Sequence, residues 1–279
     1  MLEHFNSYRT DVLGIAERGI YKNDGKPRSH IIPESQKMKN ILETIQKSFW
    51  EYANGNHLDQ SLHKCFHHLN SSQALCFNLF FPLVKDGRLN LLTKFLEIET
   101  CKPLKAVFEK ESELEDVGAG VRKTNFDFYL ESATDKIFFE VKYTEDGFGG
   151  TKKDSEHRKK FRTVYKQLAA DASCFLTKQC QEENVFLENY QLLRNLVHIS
   201  PKSYVVFVYS TQNEKIAQQA TMAKRNFLTE EGKKKIRLVE IEKLIEYLKG
   251  YHPDKKPWDD FTKKYLNIVP TSATTKRNG

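Results

Sequence analysis

The stretch TNFDFYLESATDKIFFEVKYTE, from Thr124 to Glu145, decides the fold. Phe126, Phe128 and Leu130 alternate with Asp127 and Tyr129, and Phe139, Val141 and Tyr143 alternate with Glu140 and Lys142. Both runs have the period of two of a half-buried strand. A turn between Ala133 and Thr134 joins them as a hairpin, pairs Phe128 with Phe139 and Phe126 with Val141, and sets Asp127 opposite Glu140. A slip of one residue would carry aromatic rings onto the polar face, so the apolar pattern itself specifies the register.

Two like charges facing each other on a sheet cost roughly 0.2 to 1 kcal/mol, and more when partly desolvated. A divalent cation held by both carboxylates would offset that cost, with Lys142 on the same face as a nearby positive charge. The plainer reading is a solvated polar face on which Lys142 neutralises the acids. Other acid-x-Lys triplets occur at Asp24 to Lys26, Glu231 to Lys233 and Asp254 to Lys256. They sit beside Gly or Pro or within charge runs, and none lies on an apolar-alternating strand.

Asp127 followed by Glu140-Val-Lys142 on the next strand resembles the bipartite Asp…Glu-x-Lys signature of the PD-(D/E)XK nuclease superfamily, the restriction-endonuclease-like fold. Asn70-Ser-Ser-Gln-Ala74 leading into Phe77-Asn78-Leu79-Phe80, the run from Glu140 to Glu145, and Tyr190-Gln-Leu-Leu-Arg-Asn195 together look like its PGN_0703-like branch. The resemblance covers about half the chain, Leu69 to Tyr209. Its ordered combination is more specific than any one motif, and the long segment between Lys142 and Tyr190 implies an inserted helical region.

The resemblance implies Mg²⁺-dependent hydrolysis of phosphodiester bonds in double-stranded DNA, with Mn²⁺ as a substitute metal. Asp127, Glu140 and the Val141 carbonyl would hold the metal, and Lys142 would orient the attacking water or stabilise the transition state. These residues suit Mg²⁺, which takes one or two carboxylates plus water and phosphate oxygens. Related enzymes add an upstream helical Glu, for which Glu97, Glu99 and Glu109 are open alternatives. Glu145 has odd parity relative to Glu140 and faces away if the strand runs that far. Gln191 and Arg194 share a helix face by their i, i+3 spacing, and the resemblance leans that face over the site. Ser72, Gln73 and Asn78 are further DNA-contacting or supporting candidates, although Ser71 or Ser72 also suits a helix N-cap.

A net charge of +7 over 279 residues favours an acidic partner. The runs Lys152-Lys153, Arg158 to Arg162, Lys233 to Arg237 and Lys255-Lys256 all follow the hairpin and are expected to contact phosphates, with salt-sensitive affinity. The five cysteines form no Cys-x-x-Cys pair, which suits a reducing cytosol. No signal-peptide core or membrane-length apolar stretch is found, so a cytoplasmic protein is expected.

Along the chain, helices are expected at about 34–52, 58–69 and 72–81, ending near Pro82, with a strand at Ala106 to Glu109 before the hairpin. Helical segments at 156–178 and 187–198 lead to a buried-type strand, Tyr204 to Tyr209. A helix at 213–227, a short strand near Arg237 to Val239 and a helix at 241–249 complete the pattern. The expectation is an α/β restriction-endonuclease-like core with a mixed central β-sheet flanked by helices. One nuclease domain spans 1–270, made of a mainly helical region at 1–69, a catalytic core at 70–210 and a C-terminal α/β extension at 211–270. A disordered tail follows at 271–279.

His63 and His67 have the i, i+4 spacing of a zinc pair, but no third ligand completes a motif. Gly118-Ala-Gly120 precedes a strand instead of following one, which is wrong for a dinucleotide fingerprint. Gly147-Phe-Gly-Gly150 reads as a mobile edge beside the cleft. The leading reading is a stand-alone type II restriction endonuclease, with homodimerisation as the way to cut both strands. The alternatives are a structure-specific DNA repair nuclease and a DNA-binding protein that kept the fold and lost catalysis.

Overall fold

The computed structural model describes residues 2–116, 118 and 122–266. The tail expected at 271–279, and Ala119 and Gly120 of the Gly-Ala-Gly triplet, lie outside the described residues. In chain order, α1 (Leu2–Ser7) is followed by a small ribbon of β1 (Ile20–Tyr21) and β2 (Lys26–Pro27). A 3-10 turn at Glu34–Asn40 leads to α2 (Glu43–Gly55), α3 (Ser72–Lys85) and α4 (Leu89–Phe95). Then come β3 (Lys105–Glu111), β4 (Asn125–Glu131) and β5 (Lys136–Lys142). Helices α5 (Ser155–Lys160) and α6 (Lys166–Asp171) are joined by a π-helical turn at Phe161–Tyr165, and α7 (Glu183–Glu188) and α8 (Tyr190–Leu196) follow. The chain continues through β6 (Ser203–Tyr209), α9 (Glu214–Asn226), α10 (Glu230–Lys234), β7 (Ile236–Glu240), α11 (Ile241–Tyr251) and α12 (Lys256–Phe261).

The five longer strands form one sheet in the order β3-β4-β5-β6-β7. Pairing is antiparallel from β3 to β5 and parallel from β5 to β7, which is the mixed α/β sheet expected. Central strands of a parallel set are covered on both faces and read as continuous apolar runs. Val205, Val206, Phe207 and Val208 of β6 are accordingly all buried. β5 is covered on both sides too, so the half-exposed polar face expected for the hairpin does not exist: Glu140 is 4 % and Lys142 8 % exposed.

Each face of the sheet has its own helical layer. Against one pack α2, α3, α11 and α12, with Phe80 of α3 stacked on Phe128 of β4 at 4.4 Å. Against the other pack helices from the segments between β5 and β7, including α7, α8 and α9. The Ser71 side chain caps α3, accepting the Ala74 amide at 3.3 Å. The helix then runs through Pro82 to Lys85 instead of stopping there. Leu83, beyond the proline, is fully buried, and that burial outweighs one missing backbone donor.

The expected helix at 58–69 is absent. Only Leu58–Ser61 forms a 3-10 turn, and the rest is held as irregular chain by its neighbours. Asn40 Nδ2 donates to the Phe66 and His68 carbonyls, and the Ile32 and Leu69 amides bond His67 and His30 across the loop. These bonds satisfy the backbone without a helix. The i, i+4 geometry of a His63–His67 zinc pair therefore does not arise.

Candidate active site

The β4–β5 ladder has the expected register at Phe128↔Phe139, and it stops there. Beyond this pair the strands part, and the Asp127 side chain bridges the gap by accepting the Val141 amide on Oδ2 at 2.6 Å. Phe126 is thus not paired with Val141. It lies on the opposite face from Phe128, against the rings of Phe138 at 4.6 Å and His198 at 4.8 Å.

β3 explains the change of face. Its pairing with β4 passes from Phe108↔Phe128 to Lys110↔Phe126, skipping Glu109 and Asp127. Glu109 has a left-handed backbone, φ 54°, uncommon for a residue with a side chain. Phe108 and Phe128 stay on the α3 side, whereas Lys110 lies over Tyr129 on the far side. Both strands change faces together, with Glu109 and Asp127 at the changeover.

Helices from both layers reach into this fork. From α3, Gln73 donates to Glu109 Oε1 at 2.8 Å, and Asn125 donates to the other oxygen. From α8, Gln191 donates to Glu140 Oε1 at 3.2 Å, the oxygen that also receives Lys142 Nζ at 2.8 Å. Burial, then the charges of Glu140 and Glu109, pushes the Asp127 carboxyl well above the usual carboxylate range, opposed by Lys142 and the Val141 amide. Burial likewise raises Glu109, against the Gln73 and Asn125 bonds. Burial acts to lower the Lys142 proton affinity, but Glu140, Glu145 and Asp127 outweigh it and hold the ammonium charged. Beneath the carboxylates, the Cys76 thiol is also raised well above its usual value by burial and by Asp127, Glu109 and Glu140.

Asp127, Glu140 and the Val141 peptide thus meet at the carboxyl end of β5, where ligands of open α/β sheets bind. Two carboxylates with a backbone carbonyl are a hard-oxygen donor set suited to Mg²⁺. Among the described residues no group of three or more His, Cys, Asp or Glu side chains is placed to hold a metal ion, so the donor set is two carboxylates and a carbonyl. A cavity of about 190 Å³ opens beside Glu140, lined by Arg122, Lys123, Gln191, Arg194 and Asn195 among others.

Residues 3–266 match the family described as Restriction Endonuclease associating with ARP. The chain belongs to that family. No curated protein and no solved structure matches it. The family's name differs from the PGN_0703-like branch that the motifs resemble. Restriction endonuclease is the level common to both, and it carries a nuclease activity on DNA.

Within this member of the family the other expected site residues divide. Ser72 is half-buried in the first turn of α3, where its neighbour Ser71 is the cap. Asn78 is fully buried away from the cavity, accepting the Leu42 amide and donating to the Asn40 carbonyl and the Tyr265 hydroxyl. Its polar atoms hold α3 to the start of α2 and to Tyr265, which suits the supporting role among its two expected ones. Of the three upstream acids, Glu109 is the one brought to Asp127. Glu97 and Glu99 line a separate pocket beyond α4. Glu145 does not face away: β5 ends at Lys142, and the turn folds its carboxylate back onto the Tyr143 amide at 2.6 Å.

The Gly147 to Gly150 loop is pinned instead of forming a loose edge. Phe148 is buried, its amide donates to Gln219 at 2.8 Å, and the Gly149 carbonyl takes the Gln191 amide. About half of the cations in the basic runs meet a carboxylate. Arg158 and Arg162 share Glu183, while Lys153, Lys233, Lys234 and Lys256 meet Glu188, Glu230, Glu231 and Asp260. Lys159 and Lys160 instead line a pocket with Arg122 and Arg194.

Proposed function

We propose that this chain is a Mg²⁺-dependent endodeoxyribonuclease with a PD-(D/E)XK site, acting in the cytoplasm as a type II restriction endonuclease on double-stranded DNA. The observation that carries the reading is the meeting of Asp127 and Glu140 at the sheet fork, with the Val141 peptide held between them. Asp127, Glu140 and the Val141 carbonyl are the residues that would hold the metal, with Mn²⁺ able to take its place. Bound there, the metal supplies Lewis-acid polarisation of the phosphate and a more acidic water.

The chain's own groups fit defined tasks around that chemistry. Lys142 is held protonated by the charges of Glu140, Glu145 and Asp127, which makes it a cation beside the carboxylates. Its role is electrostatic: it orients the water and meets the negative charge that develops on the phosphate. Gln191 fixes the Glu140 carboxylate, and Gln73 fixes Glu109, whose charge acts on Asp127. Arg194 lies on the same helix face as Gln191 and borders the same cavity. A homodimer would give one site per strand of a symmetric target.

Family membership favours restriction over repair, and the buried acid pair with its lysine favours an enzyme over an inactive DNA-binding protein. The family's description also names an association with ARP, so cutting that needs a second component is the variant reading to test. The experiment is digestion of unmethylated plasmid with Mg²⁺, beside Glu140→Ala, with the product ends sequenced. Discrete fragments sharing an end sequence, and lost in the variant, support the proposal. Cutting confined to branched or damaged DNA supports repair, and binding without cutting, alone or with the partner, supports loss of catalysis.

A further inference from the structure

Next to the acid pair the molecule gathers positive charge that the fold only partly neutralises. The cavity beside Glu140 shares Arg122 and Arg194 with a larger one of about 590 Å³, which Lys159, Lys160 and Tyr190 also line. The two spaces therefore meet at the two arginines. Asp116 and Glu156 line the larger space as well, so its lining is mixed in charge with basic residues in excess.

The part of that lining made by Lys160 and Arg194 is built, not incidental. Glu115 is buried behind it and accepts the Thr124 amide at 3.1 Å and the Tyr165 hydroxyl at 3.0 Å. Lys160 Nζ stands 3.5 Å from the same carboxylate and also donates to the Arg122 carbonyl at 2.6 Å. Arg194 Nε bonds Thr124 Oγ1 at 3.0 Å, itself a donor to Glu115, and its guanidinium lies over the Tyr190 ring at 5.0 Å. One buried carboxylate thus serves two cations, and Arg122 adds a third. Burial and the charge of Arg194 lower the Lys160 proton affinity, against the charge of Glu115 and its bond to the amine.

A separate observation points the same way. Asn195 is 1 % exposed and lines the smaller cavity, yet its Nδ2 has no hydrogen-bond partner among the described residues. A buried amide donor without a partner calls for an acceptor. An anion with several oxygens would satisfy the amide and the cations together, and a phosphodiester is such an anion.

We propose that Arg122, Lys160, Arg194 and the Asn195 amide form a second phosphate subsite, which takes a backbone phosphodiester of the DNA other than the one being cut. This rests on the nuclease reading, because the subsite is defined by its position beside the cleavage site. Lys160 and Arg194 are held in place through Glu115, so the subsite is preorganised, and binding there sets the register of the strand over Asp127 and Glu140.

The test is the salt dependence of binding to a duplex closed by hairpins at both ends, which offers internal phosphates only. Affinity is measured without divalent cation, so that the duplex stays intact, for wild type, Arg122→Gln/Lys160→Gln, Arg122→Lys/Lys160→Arg and the distant control Lys233→Gln. The Gln pair is expected to flatten the log–log salt slope by about 1, the loss of roughly one released counterion, with the charge-keeping pair and the control at the wild-type slope. Arg122 is exposed, so Arg122→Gln alone is read if the pair lowers the melting temperature. An unchanged slope in a protein that still binds and cuts overturns the subsite and leaves the nuclease standing. A wild type that neither binds nor cuts DNA overturns both.

Discussion

Asp127 Oδ2 accepts the amide of Val141 at 2.6 Å, so a side chain takes over where the β4–β5 ladder ends. The same carboxylate is crowded by Glu140 and Glu109 and binds its proton well above the ordinary 3.8. A carboxyl raised in the folded state favours the protonated fold. That contribution is complete below about pH 3.8 and is lost as pH rises through the folded-state value. Asp127→Asn keeps an acceptor for Val141 and removes the charge. It is expected to melt above wild type at about pH 7 in chelator, with the two curves converging toward about pH 4, and to abolish cleavage. Thermal unfolding across that range checks it, and a lower melting temperature at neutral pH would contradict it.

Gln191 and Gln73 each hold one carboxylate of the fork. Partners that orient metal-binding side chains typically contribute about 10–100-fold to affinity or activity. Gln191→Ala and Gln73→Ala should each lower cleavage by roughly that factor and raise the Mg²⁺ concentration needed for half-maximal rate. A metal titration of the cleavage rate, with circular dichroism as the check on folding, decides it. Wild-type rates would remove either residue from the site.

Asn78 makes three buried hydrogen bonds to Leu42, Asn40 and Tyr265. Removing one side of such a network leaves buried groups unsatisfied, at about 1–3 kcal/mol each. Asn78→Ala is therefore expected to lower the urea midpoint strongly while the protein that remains folded binds DNA as before. Reduced DNA affinity at unchanged stability would restore the residue to the interface.

Lys264 is fully buried, donating to Asn40 Oδ1 at 2.6 Å and to the Asn40 carbonyl, and burial holds its proton affinity well below the ordinary 10.5. The neutral amine suits the fold, so its stabilising contribution is full above about pH 10.5 and is lost as pH falls through the folded-state value. Across the alkaline range wild type should gain stability relative to Lys264→Met as pH rises. Urea midpoints of the two proteins between about pH 7 and pH 10 test this, and a constant difference between them would refute it.

The hairpin was legible because period-two alternation survives wherever a strand pairs regularly, as Phe128 and Phe139 do. The alternation brought Asp127 and Glu140 to one end of the sheet, but their geometry lies past the last ladder pair. The face of Phe126 was not, because the changeover at Asp127 depends on the left-handed backbone of Glu109 in a neighbouring strand. Glu109 itself carried a weak signal, being one of three acids near the ends of apolar runs. Asn195 sat inside a quoted motif but was indistinguishable from a helix-surface residue until its burial was known. The false helix at 58–69 reflects apolar spacing that the Asn40 side chain, distant in sequence, overrides. The basic runs were legible as charge, but not which of their lysines face a carboxylate, as Lys233 and Lys234 do.

The most direct test of the acid pair as the catalytic centre is single-turnover cleavage of plasmid DNA at saturating protein, with and without Mg²⁺, for wild type and Glu140→Ala. The account predicts cutting by wild type with the metal only, and none by the variant at an unchanged melting profile. Equal cutting by both proteins would contradict it.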